Sequence, residues 1–233
     1  MAMPIPLPTY TVDMVRAFPD DGQRYELVEG MLLVTPAPGT AHQIVVARLF
    51  NALGVYLESN GPAYVVSPGE IEIAPTTLHC EPDILVFPST FRPGTKWTEI
   101  SGWWLAVEVL SQSSKYYDRD YKLEAYLRVG VREVWMIDFE RRCCEISTTD
   151  RRNVAEYESV RWHPAEVRES LLISLDGIFR DVVTPDDASK LRTRHSDVDA
   201  AERAIGPAGR QDLRRAGTNS RHKTGCLLGR CNR

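Results

Sequence analysis

The most apolar run of the chain, Trp103 to Leu110, contains an acidic residue, Glu108. A second acid, Asp83, opens another apolar stretch that extends to Phe87. Both stretches are short and rich in β-favouring side chains, so we predict two buried strands. An unpaired carboxylate out of water costs several kcal/mol, a large part of the net stability of a domain. The fold therefore has to bring a cation or hydrogen-bond donors to both acids.

Helical and strand-like patterns alternate around these two strands without a regular repeat. Apolar residues at three- and four-residue steps predict helices over Val12–Phe18, Thr40–Ser59 and Tyr117–Val129. Runs of β-favouring residues predict a hairpin over Arg24–Thr35 and strands over Ala63–Ser67, Glu70–Ala74, Asp83–Phe87, Trp103–Leu110, Glu133–Phe139, Cys143–Thr148, Ala155–Val160 and Leu171–Leu175. Together they predict one mixed α/β (α+β) core over residues 1–185.

Residues 186–233 lack this patterning, and we predict that they form a disordered basic tail. They hold 11 Lys and Arg against 6 Asp and Glu, whereas residues 1–185 hold 17 against 26. An acidic body has no general attraction for a phosphate backbone, so nucleic-acid binding would need a local basic patch, bound cations or the tail. His222, Cys226 and Cys231 of the tail fall short of a structural zinc signature.

Targeting signals and disulfide patterns are missing from the sequence. No apolar run approaches the ~18 residues that cross a bilayer, and the N-terminus has no signal-peptide pattern. The five cysteines do not form a framework typical of a disulfide-stapled secreted domain. We therefore expect a cytoplasmic protein with reduced thiols and no membrane partner.

One divalent metal ion would neutralise Asp83 and Glu108 together. Hard oxygen ligands with open positions for water suit Mg²⁺ or Mn²⁺. The sequence has no cluster of cysteine and histidine residues of the kind that would indicate zinc instead. Lys122 borders the apolar stripe of its helix, so its stem can cross core surface toward the sheet. An aspartate, a glutamate and a lysine around a metal-held water form a minimal set for phosphodiester hydrolysis.

Each of these residues also has a plainer interpretation. Asp83 would simply begin its strand, Glu108 would pair with a surface arginine, and Lys122 would be a solvated helix residue. Two carboxylates in apolar strands with a lysine nearby give the metal site its support, and both interpretations stay open on the residues alone.

A set of motifs occurs in order along the chain: Tyr25-Glu-Leu-Val-Glu-Gly30, Pro36-Ala-Pro38, His42-Gln43, Pro82-Asp83, Val107-Glu-Val-Leu-Ser111, Asp118-Arg-Asp-Tyr-Lys122 and Gly130-Val-Arg-Glu-Val-Trp-Met-Ile-Asp138. This set, over about residues 9 to 180, resembles the Uma-two family, restriction-endonuclease-like proteins of the PD-(D/E)XK nuclease superfamily. The resemblance implies a mixed β-sheet flanked by helices, a Mg²⁺ or Mn²⁺ site and endonuclease activity on DNA. Many restriction-like nucleases act as dimers, so a homodimer stays open.

The resemblance places the family's aspartate at Asp83 and its second acid at Glu108, both as metal ligands. The lysine that the superfamily pattern puts two residues later is absent, because that position is Leu110. Members of the resembled family supply the lysine from the next helix, where Lys122 stands. Lys115 is the rival for this role.

Two further residues are candidates for the site. The resemblance suggests an acidic contribution from Glu26, and the alternative is a strand-face carboxylate paired with Arg24. His42 stands near the start of the long helix, where its imidazole could meet a phosphate or orient a carboxylate, or could serve in capping or packing. Gln112 and Asp138 are more typical of a strand exit and a turn start.

The leading hypothesis is a metal-dependent endonuclease in which Asp83, Glu108 and Lys122 act together, with Glu26 and His42 beside them. The first alternative is an inactive nuclease-fold module that binds nucleic acid or protein, which the acidic body and Leu110 favour. A two-carboxylate glycosidase would need a sugar-sized groove lined by aromatic residues and no lysine between the acids.

Overall fold

The structure is a computed structural model that describes residues 9–73, 78–111 and 114–182. The predicted tail, residues 186–233, lies outside the described residues. Within the described ranges, none of the helices combines the length and the hydropathy that a membrane-spanning segment needs.

The elements alternate along the chain as the patterning indicates. The helices are α1 (Val12–Arg16), α2 (Thr40–Asn60), α3 (Lys115–Tyr117), α4 (Leu123–Arg128) and α5 (Leu175–Ile178), with a 3₁₀ turn at Trp97–Glu99 and a π-helical turn at Asp118–Lys122. The strands are β1 (Arg24–Val28), β2 (Met31–Thr35), β3 (Ala63–Val66), β4 (Ile71–Ile73), β5 (Leu78–Cys80), β6 (Ile84–Pro88), β7 (Leu105–Val109), β8 (Glu133–Asp138), β9 (Cys143–Ser147), β10 (Val154–Glu156), β11 (Ser159–Trp162) and β12 (Leu171–Ser174).

A six-stranded sheet in the order β10-β9-β8-β7-β6-β3 forms the centre of the fold. Strands β7 and β8 run parallel, and the other neighbours in this sheet are antiparallel. Every residue of β7 is at most 2% exposed. A strand that is covered on both faces has apolar side chains at nearly all positions, which explains why Leu105-Ala-Val-Glu-Val109 is apolar except at Glu108.

The two faces of the central sheet pack into two separate cores. Val107 and Val109 face the first core, to which α2, β11 and α5 contribute. Ala106 and Leu110 face the second core, formed with α4 and the four-stranded sheet β2-β1-β5-β4. Because side chains alternate along a strand, Glu108 belongs to the face of Ala106 and Leu110, toward α4.

The hairpin that the sequence predicts around Glu29 and Gly30 is confirmed as β1 paired with β2. Both turn residues have positive φ, 52° and 82°. A two-residue turn with positive φ at both positions matches the right-handed twist of the strands that it joins. This hairpin holds Glu26 of β1 in the four-stranded sheet.

Several boundaries differ from the sequence prediction. Strand β5 was not predicted, because Leu78, His79 and Cys80 are too few to give a period. The predicted strand Ala155–Val160 is wrong as a single element, since β10 and β11 join different sheets. The helix predicted from Tyr117 begins at Lys115 and contains the π-helical turn.

Gly69 is buried against Leu85, next to the segment that carries Asp83. A Cβ atom at Gly69 would lie 2.3 Å from the Cβ of Leu85, which is fully buried. We expect Gly69→Ala to lower the free energy of unfolding by about 1–3 kcal/mol, the usual effect of overpacking. Chemical denaturation measures this change.

Gly54→Ala is the matched control for Gly69→Ala. Its Cβ would lie 3.8 Å from Val65, an ordinary contact, and Gly54 is inside α2. Alanine there should raise the free energy of unfolding by roughly 0.5–1 kcal/mol. A Gly69→Ala protein as stable as the parent would contradict the packing described for Leu85.

Candidate active site

Asp83 lies immediately before β6 and is 5% exposed. Its Oδ2 accepts a hydrogen bond from the backbone N–H of Val109 at 2.8 Å and lies 3.1 Å from Nε2 of His42. Arg24 donates from Nη1 to Oδ1 at 3.3 Å. Burial raises the pKa of Asp83, but His42, the Val109 amide and Arg24 together outweigh it, so the pKa is lowered. Asp83 is therefore an anion at neutral pH.

Glu108 of β7 is 2% exposed and accepts two hydrogen bonds at one oxygen. Tyr126 donates its hydroxyl to Oε1 at 2.5 Å, and Lys122 donates from Nζ to the same oxygen at 3.2 Å. Burial raises the pKa of Glu108 well above its ordinary value; Lys122 opposes this, and the carboxylates of Asp118, Asp83 and Glu26 add to it. The surroundings of Glu108 thus disfavour its ionised form, because Lys122 alone does not supply enough positive charge.

Lys122 is 2% exposed and contacts three carboxylates. Its Nζ lies 2.7 Å from Glu26 Oε2, 3.2 Å from Glu108 Oε1 and 3.2 Å from Asp118 Oδ1. Burial alone would lower the pKa of Lys122, but the carboxylates of Glu108, Glu26 and Asp118 raise it well above its ordinary value. The ammonium therefore stays charged where these acids converge.

The charges of this cluster do not balance. Glu26, Glu108 and Asp118 are each at most 2% exposed, and Lys122 is the cation that contacts all three. Ionisation of all three acids leaves two uncompensated negative charges in a region of low dielectric. Two protons or one divalent cation would correct the deficit.

A cavity of about 110 Å³ adjoins these carboxylates. All five residues predicted for the site line it, and its wall is formed by Arg24, Glu26, Thr35, Pro36, Ala37, Pro38, Gly39, His42, Asp83, Glu108, Val109, Ser111, Ser114, Asp118 and Lys122. A polar cavity of this volume has room for several water molecules or for an ion with part of its hydration shell.

The plainer interpretations of Glu108 and Lys122 do not fit the structure, whereas Asp83 does stand at the start of its strand, directly before β6. Glu108 pairs with the buried Lys122 rather than with a surface arginine, and Lys122 is not solvated. Glu26 contacts Lys122 and accepts from the backbone N–H of Glu81 at 2.8 Å, and His42 contacts Asp83. The catalytic and metal-binding roles of these side chains remain predictions.

The other candidates lie elsewhere. Lys115 pairs with Glu140 at 3.5 Å and does not line the cavity. Asp138 accepts from Arg119 and from the backbone N–H of Arg141, the contacts of a turn start. Gln112 lies outside the described residues.

Sequence reasoning missed Asp118, Tyr126 and Arg24. Asp118 and Tyr126 stand four residues before and four after Lys122, the spacing that places side chains on one helix face. That spacing was the available signal for both residues. Arg24 gives no such signal, since its contact with Asp83 depends on the packing of the two sheets.

Known proteins share the sequence pattern and the fold of this chain. Residues 12–182 match the Uma2 family, whose description is "Putative restriction endonuclease". A solved structure from Anabaena variabilis ATCC 29413, titled as "a putative nuclease belonging to DUF820", superposes with a TM-score of 0.61. It is 19% identical, and the match covers 73% of this chain and 97% of that one.

At that identity the likeness to the Anabaena structure bears on the fold alone, and it confirms the predicted mixed, nuclease-like architecture. Among curated proteins, none matches the sequence. The family match extends over most of the 233 residues, from α1 to the end of the described region. The chain belongs to the Uma2 family.

Proposed function

We propose that the chain is a divalent-metal-dependent endonuclease that hydrolyses phosphodiester bonds of DNA in the cavity beside Asp83 and Glu108. The observation that carries this proposal is the charge deficit around that cavity. Three buried carboxylates share one ammonium, and Asp83 adds a further anion. Membership of a family whose description is "Putative restriction endonuclease" supports the same reaction class.

The side chains around the cavity fit a hard divalent cation. Asp83 and Glu108 would hold Mg²⁺ or Mn²⁺, because carboxylate oxygens are the ligands that these ions prefer. When bound, such an ion lowers the pKa of a coordinated water and withdraws charge from a phosphoryl oxygen.

The chain's own residues prepare the site for this reaction. His42 and the Val109 N–H hold the Asp83 carboxylate in place, and Tyr126 holds that of Glu108. Such supporting hydrogen bonds fix the orientation of a metal ligand. Lys122 supplies a buried positive charge on the cavity wall, suited to stabilise the negative charge that develops on a phosphate in the transition state.

A second candidate function is a nuclease-fold module that binds nucleic acid without cutting it. The observation that favours it is the engagement of Lys122 by three carboxylates. An ammonium held in this way would have to be released from at least one acid before it could act on a phosphate.

Metal removal separates the two functions. With Mg²⁺ or Mn²⁺, the full chain is expected to nick supercoiled plasmid DNA, and chelation with EDTA should abolish the nicking. Agarose gel electrophoresis measures both results. A Lys115→Gln protein should cut like the parent, because Lys115 does not line the cavity. DNA retention in a gel-shift assay without any metal-dependent nicking would favour the binding module.

A further inference from the structure

Strands β4 and β5, with the residue directly before β4, carry a second cluster of chemically active side chains, formed by Glu70, Glu72 and His79. Glu72 and His79 are direct partners in the antiparallel pairing of the two strands. Glu70 precedes Glu72 by two residues, the spacing of side chains on one strand face. Glu72 is 2% exposed and His79 is 8% exposed. The cluster is separate from the cavity that Asp83 and Glu108 line.

The imidazole of His79 has one ring nitrogen without a hydrogen bond. Its Nδ1 is buried and has no well-aligned hydrogen-bond partner, although it lies within ion-pair distance of both acids. Oε1 of Glu70 lies 3.4 Å from Nδ1, and Oε2 of Glu72 lies 3.5 Å from it. The three ligand atoms all lie within 4.8 Å of one another. A buried imidazole nitrogen between two carboxylates is an arrangement that a cation would satisfy.

The distances between these atoms are compatible with a tetrahedral metal ion, and the donor atoms identify the class of cation. Two ligands at the Zn–N and Zn–O bond lengths of a tetrahedral site are about 3.3–3.5 Å apart. The contacts of Nδ1 with the two oxygens, 3.4 and 3.5 Å, match this separation. Imidazole is a ligand for zinc and similar transition metals, whereas Mg²⁺ and Ca²⁺ prefer oxygen alone. The donor set therefore favours zinc over the hard cations.

The surroundings of the cluster also suit a metal site. The other ring nitrogen of His79, Nε2, faces Oε1 of Glu81 at 3.8 Å, and a carboxylate in this place orients a metal-binding histidine. A pocket of about 400 Å³ adjoins the cluster and is lined by Arg16, Glu70, His79, Lys96, Trp97 and Thr98. A cation at the cluster would thus have access to solvent for a further ligand.

Arg16 supplies the positive charge that Glu72 contacts in this structure. Its Nη2 lies 2.7 Å from Oε2 of Glu72, and its side chain is 55% exposed. An exposed arginine can move aside or remain as an outer partner of the same carboxylate. Arg16 therefore competes with a metal ion for Glu72 rather than preventing its binding.

We propose that Glu70, Glu72 and His79 form a zinc site on the four-stranded sheet, with three protein ligands and an open position toward the adjoining pocket. This site is independent of the proposed nuclease reaction. The sequence carries no zinc signal here, because Glu70 and Glu72 are separated from His79 along the chain and form no compact motif with it.

Isothermal titration calorimetry with ZnCl₂ tests the site in the full chain. Excess Mg²⁺ in the buffer occupies hard carboxylate sites, and an alkaline pH opposes protonation of His79, whose pKa is raised by the carboxylate of Glu70. Because the tail holds potential zinc ligands, every protein compared carries His222→Gln, Cys226→Ser and Cys231→Ser. We expect one Zn²⁺ per chain, with affinity reduced at least 10-fold by His79→Gln or Glu72→Gln.

Four further variants keep the test decisive. Glu70→Gln changes the most exposed of the three ligands, whose side chain is 23% exposed. It therefore tests Zn²⁺ binding at the cluster even if His79→Gln and Glu72→Gln fail to fold. Arg16→Ala should bind Zn²⁺ at least as tightly as the parent, because it removes the competing cation. Asp83→Asn and His163→Gln should bind Zn²⁺ with the affinity of the parent. The first variant shows that the Zn²⁺ is not bound in the nuclease cavity, and the second that it is not bound at His163, whose Nε2 lies at hydrogen-bond distance from the carbonyl of Val167.

A spectroscopic readout complements the calorimetry. Co²⁺ added to the same proteins should give the visible absorption of a tetrahedral site in the parent, and Glu70→Gln should remove it. Equal Zn²⁺ affinity in the parent and Glu70→Gln, or no binding by the parent, would overturn the proposal. His79 would then be a protonated partner of its two acids.

Discussion

Replacing Lys122 with methionine is expected to lower the free energy of unfolding by about 3–5 kcal/mol, the usual effect of removing one partner from a buried ion pair. The methionine would fill a similar volume but leave Glu26, Glu108 and Asp118 without the cation that they share. Nicking should also be lost, because the cavity loses its buried positive charge. Urea denaturation and the plasmid assay measure the two effects.

Lys115→Met is the matched control, since Lys115 is a lysine of the same helical segment with a 43% exposed side chain. Its pairing with Glu140 is partly exposed, so we expect a change of no more than about 0.5 kcal/mol. Combining Lys122→Met with Glu108→Gln should cost less than the sum of the single changes, because the amide removes one of the unpaired charges. Equal stability of Lys122→Met and Lys115→Met would refute the ion-pair cluster.

Asp83→Asn is expected to reduce nicking at least about 100-fold while the protein stays folded. Loss of an outer partner of a metal ligand typically costs 10–100-fold, and loss of a ligand should cost no less. The asparagine keeps one acceptor for the Val109 amide or for His42, so the fold retains part of the local bonding. Nicking rates at saturating Mg²⁺ measure the change.

Asp138→Asn is the matched control for Asp83→Asn. Both aspartates are 5% exposed, and Asp138 bonds Arg119 outside the cavity. Its replacement should lower stability without slowing cleavage. If Asp138→Asn slowed nicking as much as Asp83→Asn, the loss would reflect the fold rather than the site.

The acid unfolding of Asp83→Asn gives an independent check. The folded-state pKa of Asp83 lies below its ordinary value of 3.8, so ionisation stabilises the native state above that pH. This stability is lost as the pH falls through the lowered folded-state pKa. Asp83→Asn should therefore lose less stability on acidification than the parent does.

The sequence, together with the family resemblance, was sufficient to locate the central strands and the five candidate residues that line the cavity. Asp83 and Glu108 were found because a charge in an apolar run contradicts local patterning. Lys122 was found because it borders an apolar helical stripe. In each case the signal was local in the chain.

The parts that sequence reasoning missed depend on contacts between distant segments. Strand β5 has three residues and gains its place from pairing with β1 and β4. Arg24 reaches Asp83 only after the two sheets pack together. Glu70 and His79 likewise come together through the pairing of β4 with β5, and no sequence motif at either position indicates that they form a cluster.

The hydrogen bond from the Val109 amide to Asp83 turns one backbone proton into a reporter for the cavity. The donor follows Glu108 directly in β7, and the acceptor is the carboxylate of the neighbouring segment. Any cation that draws electron density from Asp83 weakens this bond, and the chemical shift of the Val109 amide in an NMR spectrum changes with it. Binding of a cation in the cavity can thus be followed at a single resonance, in a sample that contains no DNA.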